Sequence, residues 1–567
     1  MKLKNIIPLA AFALPLCGVG SLTSCTESDS DLVSFVEDNR LNTPNDTVYS
    51  LMGVINKMQT IADRTILLGE LRGDLTTLTS SATLDLQDIA NFTIGADNPY
   101  NNARDYYAII QNCNYFIATA DTALAKRGYK VFEKEFAVIK AYRAWTYLQL
   151  AINYGSVPFY TQPLLTEKEA DPSLFPHYDV KQIANFFIDD LKAHAEVEFP
   201  DYGAINSLSS RKFYIPMKVL LGDLCLWAER YSEAAEYYHS FLTKQGDVRP
   251  TGTASIAWST YDFEDVVDGY ASPFTNASSS EILTLIPMET EEYDGIVSRL
   301  ADVFNSTEDN NYYYQATHSV AYDELSRSQR YVHVYSDPVT LLPDTVAPAD
   351  TMVYRNESMR GDLRQYSIYT LRNESSSSTA HSSLRQTCHK HSTGNVSLYR
   401  LQHVYLRYAE ALNRAGFPEA AFFVLKRGLC KDNIDKFMSE KEKLSAGNLI
   451  SFSEYTFLRT NTQGLHARGC GSADADTTYV IPELAGLNDS ILFVENKICD
   501  EMALETAAEG LRFYDLMRVA MRRTDNPAYL RDKIFARKGK NGGSDITTDL
   551  LDQRNWFLNW NGEIGLK

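Results

Sequence analysis

The chain has 567 residues, of which 44% are hydrophobic, so it is long enough to bury one large core or two fused ones. Its formal net charge is −19 and its pI is near 5.1. Because such a surface repels phosphate backbones and anionic lipids, we expect no nucleic-acid partner. Neutral ligands, small cations and basic peptides remain compatible with this charge.

The first 24 residues have the pattern of a bacterial export signal. Two lysines form a positive start, and residues 6–19 are apolar but too short to span a bilayer. Residues 22–25, Leu-Thr-Ser-Cys, resemble the lipobox of bacterial lipoproteins. We therefore predict a signal peptide over 1–24 and a lipid anchor on Cys25, where several acyl chains would give stable attachment. The alternative is an ordinary secretory signal followed by a chance cysteine.

Residues 25–45 are predicted to form a flexible tether. Its start at 26–31, Thr-Glu-Ser-Asp-Ser-Asp, resembles the surface-export signal of Bacteroidetes lipoproteins, although a plain solvated linker has the same composition. No later run approaches the length of a membrane helix, so the lipid is the only membrane attachment we expect. These features predict an outer-membrane location facing the cell exterior.

From about residue 46 onward the pattern is mainly helical. Residues 48–61 and 103–125 carry apolar side chains at helical spacing. The clearest helix spans about 130–154, because Gly155 and Pro158 follow it as stop signals.

Two segments are typical of tetratricopeptide hairpins, in which small residues let paired helices approach closely. In residues 213–243, Gly222 is followed by Ala234 and Tyr238 at the spacing that the second helix requires. Residues 398–429 form a weaker copy with a turn at Gly416. Any helical hairpin remains the alternative for each segment.

Between these hairpins the helical pattern is interrupted. Residues 245–395 contain many Gly, Ser, Thr, Asn and Tyr residues, with a β-like run at 282–286 and a loop expected at 373–378. We therefore predict one domain over 46–567, with a helical scaffold at 46–244 and 396–567 and an irregular insertion at about 245–395. Ligand contacts usually lie on such loops.

Two motifs resemble those of the SusD-like (RagB/SusD) family. The first comprises residues 141–147, Leu150, Tyr154, Gly155 and 157–159. The second comprises Glu505, Glu509, Gly510, Arg512, Asp515, Leu516 and Arg518, within a final helix pair at about 491–523. The family's second motif usually opens with Glu-Arg, whereas here Met502 follows Glu501, which indicates a divergent branch.

The resemblance implies a mainly α fold with four tetratricopeptide-like hairpins and a loop-rich ligand-binding lobe. It also implies a SusC-like, TonB-dependent outer-membrane transporter as partner and glycan as the commonest ligand. We expect the motif residues to be architectural, because Glu509, Arg512 and Asp515 are spaced to brace one helix face.

No catalytic signature is present in the sequence, and we predict a binding protein without cofactor or metal rather than an enzyme. His466 and Cys470 flank a glycine-rich turn, but no orienting partner is near them in sequence. Cys388, His389 and His391 are interpreted as part of a solvated loop rather than a metal site. Carboxylates are too plentiful for counting alone to exclude a glycosidase pair.

A sugar-binding surface needs aromatic rings for the apolar sugar faces and polar side chains for the hydroxyl groups. Two segments of the sequence combine aromatic and polar side chains. Three further aromatic residues outside these segments are outlying candidates. The predicted ligand-binding residues are Arg72, Asp74, Tyr100, Asn101, Tyr312, Tyr313 and Tyr314, then Trp258, Tyr261 and Tyr293. Three successive tyrosines cannot all face a core, so at least one ring should reach the surface.

These observations predict a surface lipoprotein that captures a glycan and delivers it to a transporter. One alternative is a peptide-binding lipoprotein of the same transporter type, and another is a lipid-anchored helical-repeat scaffold for assembly. Neither the sugar nor its linkage follows from the sequence.

Overall fold

The structure, a computed structural model, describes most of the chain after the predicted tether. The described residues are 46–243, 270–293, 295–308, 311–336, 343–346, 352–354, 357–359, 361–375, 382–452, 464–471, 473–539 and 542–559. They all belong to one compact unit. The predicted signal peptide, Cys25 and the tether lie outside them, so those predictions stay predictions.

Helices dominate the described part of the chain. The first eight are α1 (Asp46–Met58), α2 (Ala62–Leu71), α3 (Leu84–Asn91), α4 (Ala103–Thr119), α5 (Glu133–Tyr154), α6 (Val180–Leu191), α7 (Met217–Trp227) and α8 (Tyr231–Thr243). The next are α9 (Leu300–Phe304), α10 (Val320–Ser328), α11 (Arg364–Ile368), α12 (Leu401–Arg414), α13 (Pro418–Lys426), α14 (Lys431–Phe437), α15 (Glu440–Ala446), α16 (Ala467–Cys470), α17 (Leu487–Thr506), α18 (Arg512–Arg522) and α19 (Tyr529–Phe535). The prediction of a mainly helical fold is confirmed.

Helix α5 begins and ends where its sequence provides signals. Glu133 and Glu135 lie in its first turn, where negative charge favours a helix N-terminus. Gly155 ends the helix with a φ of +77°, a left-handed conformation that favours glycine. The predicted end is confirmed, and the helix starts three residues later than predicted.

Both predicted hairpins are present. In α7 and α8, a Cβ atom on Gly222 would lie 2.5 Å from the ring of Tyr238, so only glycine permits this approach. In α12 and α13, Gly416 turns the chain with a φ of +100° and Ala421 is fully buried. The second hairpin starts later than predicted because residues 396–400 form a strand.

The described strands form eight antiparallel pairs. The pairs are β1 (Thr76–Leu78) with β9 (Ala316–His318), β2 (Ala125–Lys126) with β3 (Tyr129–Lys130), β4 (Val157–Pro158) with β5 (His177–Tyr178), β6 (Ala204–Ile205) with β7 (Leu208–Ser209), β8 (Ile282–Ile286) with β16 (Val396–Arg400), β10 (His333–Ser336) with β11 (Pro343–Val346), β12 (Met352–Tyr354) with β13 (Glu357–Met359), and β14 (Tyr369–Ser375) with β15 (Ser382–Cys388). The strand predicted at 282–286 is confirmed, and all five of its residues are buried. The loop predicted from residue 373 is wrong up to Ser375, because β14 continues through it.

The final helix pair differs from the prediction at its centre. Ala508 and Gly510 adopt left-handed backbone angles between α17 and α18. Glu509 therefore lies in a turn and does not share a helix face with Arg512 and Asp515, as the sequence spacing suggested. Within the described ranges, no helix combines the length and apolar character needed to cross a membrane.

Candidate ligand-binding surface

Three successive tyrosines lie on an exposed segment that we call the tyrosine loop (residues 311–315). Tyr313 exposes 66% of its surface, Tyr312 exposes 38% and Tyr314 is half-buried. The loop leads directly into β9. At least one ring of the three was expected at the surface, and two are exposed.

The backbone of the tyrosine loop is held in an uncommon conformation. Asn311 and Tyr312 have φ angles of +52° and +65°. The Tyr312 N–H donates to the carbonyl of Thr307 at 2.7 Å, and the Asn311 N–H donates to that of Glu308 at 3.0 Å. A left-handed conformation is strained for a bulky residue, and such strain collects at functional sites.

Arg385 on β15 covers one face of the Tyr312 ring. Its guanidinium carbon lies 3.6 Å from the ring centroid, which is the geometry of a cation–π contact. The contact orients Tyr312 and occupies part of its surface. Tyr313 therefore offers the more accessible ring for stacking on a ligand.

The tyrosine loop is fastened to the segment that leads into α3. The Thr79 hydroxyl donates to the carbonyl of Tyr314 at 2.7 Å, and the Thr79 N–H donates to that of Gln315 at 2.9 Å. The Thr83 N–H donates to Oε1 of Gln315 at 3.0 Å. Since β1 and β9 pair immediately beside these contacts, the loop has a fixed position on the scaffold.

Tyr100 is attached to the same end of α3. The Asn98 side chain donates to the carbonyl of Asp85 at 3.0 Å and accepts from the Tyr100 N–H at 3.0 Å. Tyr100 is half-buried, and this burial, followed by the charges of Asp63 and Asp85, raises the pKa of its hydroxyl. The hydroxyl is therefore protonated at neutral pH and can donate a hydrogen bond. Helix α3 thus positions both predicted aromatic segments.

Asn101 contributes to the shape of its own loop. It exposes only 2% of its surface, and its amide donates to the carbonyl of Gly95 at 3.1 Å. Its Oδ1 atom is buried and accepts no hydrogen bond from the residues that the structure describes. This position favours a supporting role for Asn101 beneath the surface.

Arg72 lies in the core, with 1% of its surface exposed. The guanidinium carbon of Arg72 lies 4.1 Å from the centroid of the Phe513 ring. Its N–H groups donate to the carbonyls of Leu68 and Trp556, to Oδ1 of Asn153 and to the Tyr514 hydroxyl. These contacts favour a role in holding the C-terminal segment rather than in contacting a glycan at the tyrosine loop.

Asp74 is bound inside the protein by Arg512. Both carboxylate oxygens accept from this guanidinium, at 2.5 Å and 2.9 Å, and both residues are buried. Burial raises the pKa of the carboxyl, but the Arg512 charge outweighs it and holds the pKa below its usual value. The burial therefore favours a structural role for Asp74.

Of the three outlying candidates, the structure describes Tyr293. Tyr293 exposes 93% of its surface, next to the ion pair between Glu292 and Arg299. Trp258 and Tyr261 lie outside the described residues, so their predicted role stays a prediction.

A buried cluster surrounds the glycine-rich turn at His466. His466 Nδ1 lies 2.7 Å from a carboxylate oxygen of Glu501, a partner that sequence spacing could not identify. One potential ligand atom each of Asp362, His466 and Cys470 lies within 4.8 Å of the others, and all three residues are buried. Arg364 donates to both oxygens of Asp362, which places a positive charge where a metal ion would bind. Burial, and then Asp362, raise the pKa of Cys470, which disfavours the reactive thiolate.

The segment at Cys388 is not a solvated loop, as the sequence suggested. Cys388 ends β15 and is fully buried, and His391 is buried against Phe304 with ring centroids 4.8 Å apart. Burial lowers the pKa of His391 to about 4. The serine-rich composition was misleading because this segment packs under the turn between α17 and α18.

Two motif glutamates are neutralised in the core. Glu505 accepts from Arg364 at 3.0 Å and from Arg468 at 3.1 Å, while Glu509 accepts from Arg400 at 2.6 Å. Burial raises the pKa of Glu505, but the arginines outweigh it and lower the pKa to about 2. These two glutamates therefore brace the core through arginines that are distant in sequence rather than through helix neighbours.

The chain is similar to solved structures. No protein-family model and no curated protein sequence matches the chain. A SusD-like carbohydrate binding protein from Bacteroides vulgatus is 16% identical, with a TM-score of 0.52 and 84% of each chain covered. A SusD superfamily protein from the same organism is 12% identical, with a TM-score of 0.52 and 91% of each chain covered.

A third structure, a SusD superfamily protein from Bacteroides thetaiotaomicron, is 16% identical with a TM-score of 0.50. The match covers 88% of this chain and 94% of that one. The similarity therefore extends over most of the chain. The protein has the fold of the SusD superfamily.

Proposed function

We propose that this protein is a cell-surface, nutrient-binding lipoprotein that captures a glycan on the tyrosine loop and delivers it, uncleaved, to a SusC-like TonB-dependent transporter. The observation that carries the proposal is the exposed pair Tyr312 and Tyr313 on a strained, firmly attached loop. The fold supports it, because one structure that shares the fold is described as a carbohydrate binding protein.

The local chemistry suits a sugar. Exposed tyrosine rings stack on the apolar faces of pyranose or furanose rings, and their hydroxyls hydrogen-bond to sugar hydroxyls. Asn311, which precedes these tyrosines in the loop, is exposed as well and offers an amide. A fixed loop loses little conformational entropy when it binds, which favours affinity.

The charge near the tyrosine loop favours a neutral glycan. Glu308 is exposed next to the loop, and Asp85 is exposed at the start of α3. With a net charge of −19 on the whole chain, these groups would repel a polyanionic chain. We therefore propose a neutral oligosaccharide as the ligand of this surface.

Binding should depend on the rings of the tyrosine loop. With a panel of neutral oligosaccharides, Tyr313→Ala should lower the affinity for the best binder roughly fivefold or more, the cost of one lost stacking contact. Tyr129→Ala is a matched control, because Tyr129 is 79% exposed on a different element, the β2–β3 hairpin. Equal affinity of both variants and the parent, by calorimetry, would place the site elsewhere.

The same panel tests the absence of catalysis and the ligand class. Chromatography of the incubated oligosaccharides should show unchanged chain lengths, whereas shorter products would contradict a pure binding role. If the protein binds peptides rather than oligosaccharides, and Tyr313→Ala lowers the affinity for those peptides, the peptide-binding alternative replaces glycan capture. Delivery predicts that a TonB-dependent transporter co-purifies from detergent-solubilised outer membranes, and its absence would contradict that step.

A further inference from the structure

A cavity of about 80 Å³ lies between the loop after α3 and the C-terminal segment. Its walls include Arg72, Phe92, Thr548, Arg554, Asn555 and Phe557. Arg554 and Asn555 are exposed and lie at its mouth, whereas Arg72 is buried. The volume corresponds to roughly six water positions. No residue of the tyrosine loop lines it.

Among the residues that the structure describes, the buried cation Arg72 has no carboxylate partner. Its four hydrogen bonds go to two carbonyls, one amide oxygen and one hydroxyl, all of them neutral. By contrast, the buried guanidiniums of Arg364 and Arg512 each bind at least one carboxylate. Burial lowers the pKa of Arg72, whereas the pKa values of Arg364 and Arg512 are raised. Buried charges in proteins are normally paired, so this one is an exception.

One N–H group of Arg72 has no acceptor in the part of the chain that the structure describes. A guanidinium has five N–H donors, one on Nε and two on each terminal nitrogen. Nε donates to Leu68 and Nη2 donates to both Asn153 and Tyr514, but Nη1 donates only to Trp556. The second N–H of Nη1 is therefore available at a residue that lines the cavity.

We propose that this cavity binds the carboxylate of a sugar acid, with the unused N–H of Arg72 donating to a carboxylate oxygen. An anion would neutralise the buried guanidinium, and hydrogen bonds to charged groups are the stronger ones. The side chain of Asn555 can donate at the mouth, since its amide uses one hydrogen bond, to Asp549. Phe92 and Phe557, both half-buried, provide apolar surface for the sugar ring.

Titration calorimetry with D-glucuronate, using D-glucose at the same ionic strength as control, tests this proposal. Glucuronate should bind saturably and raise the melting temperature, whereas glucose should do neither. Saturable binding of both sugars alike, or of neither, would overturn the proposal. The Tyr313→Ala variant should bind glucuronate like the parent. The test of this cavity is therefore independent of the test of glycan binding at the tyrosine loop.

Two variants locate the site. Asn555→Asp adds a negative charge at the cavity wall and should weaken glucuronate binding roughly fivefold, whereas Asn488→Asp adds the same charge on exposed surface at the start of α17 and should not. Equal affinities of these two variants would overturn the proposal. Arg72→Gln should abolish glucuronate binding if its melting curve shows a folded protein. Glucuronate binding by a folded Arg72→Gln protein would also overturn the proposal. If Arg72→Gln does not fold, the Asn555→Asp comparison decides.

Discussion

The guanidinium carbon of Arg385 lies 3.6 Å from the centroid of the Tyr312 ring, so β15 helps to hold the tyrosine loop in position. A partly exposed cation–π contact contributes about 0.5 to 1 kcal/mol. Arg385→Met keeps most of the side-chain length and removes the charge. We expect it to lower glycan affinity about twofold to fivefold, because Tyr312 would lose its fixed orientation.

The matched control for this change is Arg327→Met on α10, where the arginine is about half exposed and pairs with Asp323. Both variants should melt at nearly the parent temperature, since surface substitutions usually change stability little. If calorimetry finds that Arg385→Met binds the best oligosaccharide as the parent does, the orientation of Tyr312 is irrelevant to binding.

Helix packing in the α7–α8 hairpin should depend on Gly222. A methyl group there would lie 2.5 Å from the Tyr238 ring, so Gly222→Ala forces the two helices apart. We expect a loss of about 1 to 3 kcal/mol in the free energy of unfolding, measured in urea. Gly53→Ala in α1 meets no atom within 4 Å and should instead stabilise the protein by about 0.5 to 1 kcal/mol. Equal effects of the two changes would contradict this packing.

The helical scaffold could be predicted because its signals are local. The apolar spacing of α5, the stop at Gly155 and the pairing of Gly222 with Tyr238 all lie within one helix or one hairpin. The break at Gly510 was missed, because the charged spacing around it suits one continuous helix as well as two.

The site was only partly predictable, because its supporting contacts join distant parts of the chain. Tyr312 and Tyr313 were identified from composition, but their attachment to Thr79 depends on the pairing of β1 with β9. The sequence predicts Asp74 as a ligand-binding residue and cannot reveal its buried pairing with Arg512, which is 438 residues away. An Arg-Gly-Asp sequence has the same local pattern whether it is exposed or buried.

The buried glutamates of the C-terminal motif should be essential for stability. Glu505→Gln removes one charge from a site where Arg364, Arg400 and Arg468 converge. Since breaking a buried ion pair leaves uncompensated charge, we expect a loss of about 3 to 5 kcal/mol in urea unfolding. Glu440→Gln, at an exposed pair with Lys443, should leave the midpoint unchanged. A Glu505→Gln protein as stable as the parent would contradict this account of the motif.

Membrane attachment should depend on Cys25. The lipobox predicts that Cys25→Ala removes the site of lipidation, so the protein should move from the membrane fraction to the soluble fraction. Cys113→Ala is a suitable control, because Cys113 is fully buried in α4. Recovery of the Cys25→Ala protein in outer membranes after a high-salt wash would contradict lipid anchoring at this residue.

Acid should destabilise the protein in part through His391. Burial lowers the pKa of this imidazole to about 4, compared with 6.5 in the unfolded chain. Below pH 6.5 the unfolded state therefore binds a proton that the folded state does not, so stability falls as the pH falls from 6.5 to about 4. The pKa of Glu505 is lowered from 4.5 to about 2, so protonation of this residue reduces the free energy of unfolding only below pH 4.5.

His391→Phe should remove the part of this dependence that comes from His391, because phenylalanine can stack on Phe304 without titrating. Across the window from pH 6.5 to about 4, the parent should lose about 3 kcal/mol more than the variant in urea unfolding, since one pKa unit corresponds to about 1.4 kcal/mol. His177→Phe is the control, because His177 is exposed on β5 and its replacement should leave the parent's pH profile in place. If the His391→Phe and parent profiles run parallel between pH 6.5 and about 4, His391 is not the group whose protonation destabilises the fold.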